Sequence, residues 1–280
     1  MTIPYGVLMP LAPWEPPENL AMALESLRAQ TCPPSQVVVS CDGEPPPSLR
    51  RILDDSGLSI DVVLGPGSEG VGPVLARGIQ LCRYEILLRA DADDISLPER
   101  CEQQVCWLEE HPHVVALGSV IAEFRDAPDV ICHYRCVPTG SRAVGRWARF
   151  RNPLNHPSVA LRRSAVLAAG NYRSRPGFED YDLWLRFLAL YGGNAMANLP
   201  EALVLARVGE AHLARRHGFR YARAEWRFFW GCGREKLLLW SDVCLALLMR
   251  IPLRIFPVIL LSHVMAWARR RRPICLPRRL

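Results

Sequence analysis

The chain has 280 residues, half of them hydrophobic, 22% charged and 8% aromatic; this excludes a mini-protein and a mainly disordered chain, and suits one large domain or a domain with an appendage. The formal charge of +6 divides unevenly: residues 1 to 204 carry 18 basic and 24 acidic side chains, a net of −6, whereas residues 205 to 280 carry 16 and 4, a net of +12. Lys236 is the single lysine, so nearly all the positive charge is guanidinium, the group that binds phosphate bidentately.

The ten cysteines form no CxxC pair and no His/Cys zinc spacing, which points to reduced thiols. No basic residue precedes Arg28, and Pro4, Pro10, Pro13, Pro16 and Pro17 interrupt the amino terminus. Both features argue against a secretory signal and for a cytoplasmic protein.

Tyr5 to Leu11 is a short apolar run and Val37 to Ser40 a β-branched one followed by the turn residues Asp42 and Gly43; both read as buried strands. Between them Leu20, Ala23, Leu24 and Leu27 share one helical face behind Pro16 and Pro17. The pattern repeats with a helix at Leu49, Ile52 and Leu53, a strand from Ile60 to Leu64, a helix from Val74 to Cys82 and a strand from Glu85 to Arg89. Such alternation specifies a Rossmann-like α/β fold, a mostly parallel sheet flanked by helices, with ligands bound beyond the carboxyl ends of the strands. A helix from about Pro98 to Glu110 and a strand from His113 to Phe124 follow, then an irregular stretch from Asp126 to Asn155. A later helix carries Trp184, Phe187, Leu188 and Tyr191 and starts at the acidic Glu179, Asp180 and Asp182.

Asp91, Asp93 and Asp94 end an apolar strand, a costly place for three carboxylates unless a divalent cation neutralises them. In an extended segment Asp91 and Asp93 fall on one side, where both reach a metal or a metal-bound diphosphate; the plainer alternative is a solvated turn, with Asp94 or Ser96 capping the next helix. Asp42 ends an earlier strand on the same edge, and Gly65, Gly67, Gly70 and Gly72 make a loop near it that matches neither GxGxxG nor a Walker sequence.

In order, Val7-Leu8-Met9-Pro10, Ala23 to Thr31, Val37 to Gly43 and Arg89 to Arg100 resemble the motifs of family 2 glycosyltransferases. Asn152-Pro153-Leu154-Asn155-His156-Pro157-Ser158-Val159 and Gly177 to Arg186 are similar to its exopolysaccharide and lipopolysaccharide branch. The resemblance runs from about residue 5 to 220. It departs at Ala12-Pro13, Cys41 and Ala76, where the family often has Tyr-Asn, an acid and Asn.

The resemblance implies a GT-A fold and a nucleotide-sugar donor of the UDP or dTDP type. It also implies Mg²⁺ or Mn²⁺ held by Asp91 and Asp93, donor contacts from Pro10, Asp42, Arg89 and Asp91, and Asp180 as general base of an inverting transfer. Glu179, His156 and Trp184 are secondary candidates toward donor or acceptor; a core role for Trp184 and a structural one for His156 remain the alternatives. The implied reaction moves a sugar to a hydroxyl of a lipid-linked saccharide in bacterial surface polysaccharide synthesis.

The implied organisation is a catalytic domain over residues 1–215, its donor half about 1–125 and its acceptor half about 126–215, with a basic amphipathic helical tail over 216–280. Val243 to Ala268 is apolar but interrupted by Arg250, Pro252, Arg254 and Pro257, and Arg269 to Arg272 follow. A bilayer span needs about 20 apolar residues, so the segment 243–272 is expected to lie on the cytoplasmic face of the inner membrane, with packing on the catalytic domain or on a second subunit as the alternatives. A sugar nucleotidyltransferase and a non-catalytic membrane-bound assembly protein are the competing functions. The first normally has a Gly-rich basic loop after the first strand, which Leu11 to Asn19 lacks, and no nucleic-acid recognition motif is present.

Overall fold

The computed structural model describes residues 3–209 and 218–255. Strand and helix alternate through β1 (Gly6–Leu11), α1 (Pro17–Arg28), β2 (Gln36–Cys41), α2 (Pro47–Asp54), β3 (Ile60–Leu64), α3 (Val71–Leu81) and β4 (Ile86–Arg89). There follow β5 (Ile95–Ser96), α4 (Arg100–Glu110), β6 (Ala116–Phe124), β7 (Ile131–Arg135), α5 (Ser141–Ala148) and a 3-10 turn at His156–Ser158. The remaining elements are β8 (Ala160–Arg162), α6 (Arg163–Ala168), α7 (Glu179–Tyr191), β9 (Met196–Arg207), α8 (Phe219–Arg234) and α9 (Trp240–Ile255).

The strands form one sheet in the order β3-β2-β1-β4-β8-β6-β9-β5, with β7 paired to β6. Strands β3, β2, β1 and β4 are parallel neighbours, as crossovers through α1, α2 and α3 require. Beyond β4 the sheet is mixed: β8 is antiparallel to β4 and β6, β9 is parallel to β6, β5 is antiparallel to β9, and β7 is antiparallel to β6. The segment between β6 and β7 is too short for a crossover, so that pair has to be antiparallel. The region expected to be irregular thus contains β7 and α5.

Sequence periodicity and burial agree over the first half. Pro17 opens α1 with Pro16 as its N-cap, and its buried residues are Leu20, Ala23, Leu24 and Leu27. They join Val37, Val39, Leu49, Leu53 and Leu88 in one core on one face of the sheet. A second core holds Leu8, Val38, Leu75, Ile79, Trp184 and Phe187.

Helix α4 begins at Arg100, two residues after the expected Pro98, and no side chain caps it. Asp94 and Ser96 are engaged elsewhere: Asp94 Oδ1 accepts the Arg207 N–H at 2.8 Å, and Ser96 Oγ accepts the Arg100 guanidinium at 2.9 Å.

The apolar segment starting at Val243 does not stand apart from the rest. Helix α9 pairs with α8, and a core of Phe178, Tyr181, Leu185, Phe228, Phe229, Val243 and Ala246 fixes this hairpin on α7. Arg149 donates to Asp242 at 2.7 and 2.6 Å, and the fully buried Glu225 accepts from Arg250 and Arg254. Packing on the catalytic domain, one of the alternatives for the segment 243–272, holds for the Val243 and Ala246 face, which is buried against the protein where its charges find partners. Residues 256–272 lie outside the described residues. Among the described residues, no helix is long and apolar enough to cross a membrane.

Candidate active site

A cavity of about 450 Å³ opens at the carboxyl ends of β1, β2 and β4, and its lining includes Pro10, Ala12, Trp14, Glu15, Asp42, Ser68, Gly70, Asp91 and Asp93. Four residues singled out from the sequence, Pro10, Asp42, Asp91 and Asp93, therefore share one cleft at the sheet edge. Asp42 Oδ1 and Oδ2 accept the N–H groups of Glu69 and Gly70 at 3.0 and 3.4 Å, which tethers the glycine loop to the rim. Gly43, with φ +103°, lies against Gly67, a close backbone approach that suits residues without a Cβ.

Carboxylate oxygens of Asp91, Asp93 and Asp94 lie within 4.8 Å of one another. The backbone there is a turn, closed by Asp94 N–H to Asp91 O at 3.4 Å, and not the extended segment expected. Strand β4 ends at Arg89 because the three acidic residues favour a turn over continued pairing; the carboxylates still converge. Burial, and then the Asp91 and Glu15 carboxylates, push Asp93 up to about 6. Burial and the Asp91 and Asp93 charges hold Asp94 well above the usual carboxylate range. Glu15 is also raised, mainly by burial.

Arg89 lies beneath this group. It is 5% exposed and ion-paired with Asp91, while its Nε and Nη1 have no hydrogen-bond partner among the described residues. Its place is that of a buried brace for Asp91.

The turn is held from behind by residues that sequence reasoning passed over. The fully buried Arg100 donates to Ser96 Oγ, to the carbonyls of Arg89 and Pro157 at 2.6 and 3.0 Å, and to Gln104. Gln30 donates to Leu97 O at 2.8 Å and accepts the Cys101 N–H at 3.0 Å. Both lie inside the quoted motif segments, which was the signal available. Glu15 and Trp14, the latter 73% exposed at the cavity mouth, were likewise missed, because they occupy a Pro-rich loop of no recognisable pattern.

Glu179 and Asp180 open α7. Asp180 Oδ1 accepts the Tyr181 N–H at 2.7 Å, and Asn152 Nδ2 donates to Oδ2. Burial raises the pKa of Glu179, whose Oε2 lacks a partner among the described residues. The start of α7 packs beside Gly72, the neighbour of the cavity-lining Val71: a Cβ at Gly72 would overlap the Arg173 carbonyl and meet Glu179 Cβ at 3.4 Å.

Trp184 takes the core position that was its alternative, and His156 packs against it. Trp184 is fully buried, packed on Phe187 and edge-on to His156 at 6.0 Å; it faces the core and does not pave an acceptor surface. His156 Nε2 sits 3.0 Å from Tyr172 Oη, and burial together with Arg89 keeps its pKa well below 6.5. Its contacts with Tyr172 and Trp184 accord with the structural alternative for His156.

The parallel half-sheet, the acidic turn after β4 and the cleft at the strand ends fit the GT-A fold of nucleotide-sugar transferases. The same fold is seen in Staphylococcus aureus TarS 1-349, solved in complex with UDP-GlcNAc, at a TM-score of 0.61 and 17% identity over 81% of this chain and 66% of that one. Residues 15–167 match the profile of Glycosyl transferase family 2, and the chain belongs to that family. It is similar to an uncharacterized glycosyltransferase of Haemophilus influenzae, 39% identical over 80% of this chain and 84% of that one. The amylovoran biosynthesis glycosyltransferase AmsE of Erwinia amylovora is 35% identical over 79% and 82%. The UDP-Gal:alpha-D-GlcNAc-diphosphoundecaprenol beta-1,3-galactosyltransferase of Escherichia coli is 28% identical over 90% and 92%.

Proposed function

We propose that the chain transfers a sugar, with inversion, from a nucleoside-diphosphate sugar of the UDP or dTDP type to a hydroxyl of a lipid-linked saccharide during surface polysaccharide synthesis. The observation that carries this is the cleft joining Pro10, Asp42, Asp91 and Asp93; Glu179, at the start of α7, packs beside Gly72, the neighbour of the cleft-lining Val71. The acceptor named for the Escherichia coli relative and the UDP-GlcNAc of TarS support the two substrate classes. In this reading residues 1–215 are the catalytic unit, and a lipid-linked acceptor brings the enzyme to the cytoplasmic face of the inner membrane.

Asp42 orders the loop that closes the nucleoside end of the cleft, and Arg89 is ion-paired with Asp91 from beneath. Asp91 and Asp93 are the ligands for Mg²⁺ or Mn²⁺. Their convergence and the raised Asp93 are what a hard divalent cation bound by oxygen would relieve. Asp94 is already committed to the Arg207 N–H. When bound, the ion supplies positive charge to the departing diphosphate. Asp180, oriented by Asn152, takes the proton of the acceptor hydroxyl as its oxygen bonds to the anomeric carbon and the bond to the diphosphate breaks.

Asp180→Asn and Asp93→Asn each test the reading. The expected kcat falls by about 10² to 10⁴ for Asp180→Asn, the usual contribution of a general base, with melting temperature retained and nucleoside diphosphate as the product of the wild type. Full activity in Asp180→Asn, or release of pyrophosphate, refutes it.

A further inference from the structure

The α8–α9 hairpin has a second face that the other described residues leave uncovered. Every exposed position of α9 is uncharged; they include Leu245, Met249, Leu253, Ile255 and Leu248, the last 73% exposed. The charged residues of this helix are all turned inward, Asp242 to Arg149, and Arg250 and Arg254 to Glu225. Every exposed position of α8 is aromatic or arginine: Phe219, Arg220, Arg223, Trp226, Arg227, Trp230 and Arg234.

An aromatic cluster joins the two helices. Trp226 stacks on Trp230 at 5.3 Å, and Trp230 meets Trp240 edge-on at 4.9 Å; the three are 44%, 43% and 46% exposed. An uncharged centre, a tryptophan border and an arginine flank form one continuous surface.

We propose that this surface docks on an anionic lipid bilayer, with the outer face of α9 and the tryptophan cluster entering the headgroup boundary and the α8 arginines contacting lipid phosphates. Tryptophan favours the interface, and arginines near an anionic leaflet gain electrostatic attraction. A second copy of the chain is a poorer occupant: a two-fold contact sets the same patch against itself, which would bring the like-charged arginine flanks together. The sequence past Ile255 continues apolar as far as Ala268 and then runs to Arg269 through Arg272, a composition with the same preference.

The inference rests on the lipid-linked acceptor of the proposed function, and it gives that acceptor a geometry. Phe178 stacks on Phe228 at 4.6 Å and Tyr181 packs on it at 5.2 Å, so the residues on either side of Glu179 and Asp180 are lodged in the hairpin. A docked hairpin holds Asp180 at a set height above the leaflet from which the acceptor sugar projects.

The test is co-sedimentation of the full chain with acceptor-free vesicles of phosphatidylethanolamine and phosphatidylglycerol, and with vesicles of phosphatidylcholine alone. The wild type is expected to pellet with the anionic vesicles and to show a blue shift of tryptophan emission. Leu248→Glu, and the pair Arg223→Glu with Arg227→Glu, each lower the partition coefficient by roughly tenfold or more, the scale of exchanging buried hydrocarbon or an attractive charge for a repelled carboxylate. Their melting temperatures and their transfer to a water-soluble acceptor analogue stay at wild-type values. A wild type left in the supernatant, or variants that pellet as the wild type does, overturns the proposal. So does a wild-type dimer, dissociated by Leu248→Glu, that ignores vesicles. The vesicles hold no acceptor, so this readout is separate from the sugar-transfer reading, which the Asp180 and Asp93 variants probe.

Discussion

Arg89→Met tests the electrostatic basis of the acidic turn. Methionine fills much of the arginine's volume without its charge, so the change isolates the ion pair with Asp91. Removing one member of a buried pair costs about 3–5 kcal/mol. Here the Arg89 side chain is 6% exposed and that of Asp91 26%, so the orphaned carboxylate recovers part of its hydration. Arg89 Nε and Nη1, without partners among the described residues, carry a desolvation cost that the variant escapes. Both corrections point the same way, to a net loss of about 2 kcal/mol, or about 4–8 °C in Tm for a chain of this size. A second effect follows from the 4.8 Å cluster of Asp91, Asp93 and Asp94: with the guanidinium gone, a divalent cation offsets more repulsion. In thermal melts with chelator and with Mn²⁺, the variant therefore starts lower and gains more from the ion than the wild type. Equal melting in chelator and an equal Mn²⁺ shift for both proteins would refute the reasoning.

Gly72→Ala places a methyl against the Arg173 carbonyl and Glu179 Cβ, forcing α3 away from the loop that leads into α7. Overpacking of this kind costs about 1–3 kcal/mol, and a shift of about 1 Å at a reacting group lowers kcat by about 10². Steady-state kinetics should show kcat falling far more than donor KM rises, and unchanged kcat would separate α3 from Asp180 positioning. His156→Gln probes pH dependence. The folded pKa of His156 lies below its unfolded value near 6.5, so the unfolded chain binds the proton first, and this stability is present above about pH 6.5 and lost as pH falls, by at most about 1.4 kcal/mol per unit. The wild type loses stability relative to His156→Gln between about pH 7 and pH 5; parallel loss in both would exclude the enclosed imidazole as the cause.

The parts of the fold legible in sequence are those set by local periodicity. Leu20, Ala23, Leu24 and Leu27 specify both α1 and its buried face, and the β-branched run of β2 specifies a strand buried on both sides. The convergence of Asp91 and Asp93 was legible for a partly mistaken reason, since a turn and not an extended strand brings them together. What sequence did not disclose depends on partners far along the chain. Trp184 has helical spacing, but only the packed structure says that its face meets His156 and the core. Arg100 looks like a helix-start surface arginine until Arg89 O, Pro157 O and Ser96 converge on it. Which face of the helix after Trp240 turns inward was not legible, because the partners of Asp242, Arg250 and Arg254 are Arg149 and Glu225, on other elements.

The opposed charges of the two halves then acquire a physical logic. Residues 1 to 204 carry a net of −6, with Asp91, Asp93 and Asp94 gathered at the cleft, and an anionic leaflet repels such a unit. Screening at physiological ionic strength limits that repulsion to about 8 Å, so a short basic element at the contact is enough to reverse it locally. The arginines of α8 fit that task because they lie on the exposed face of the hairpin, while its interior carries Phe228 against Phe178 and Tyr181. The element that offsets the repulsion is thereby the one that holds the candidate base, and charge reversal on the outer face of α8 should change where the enzyme resides before it changes how fast it reacts with a soluble acceptor.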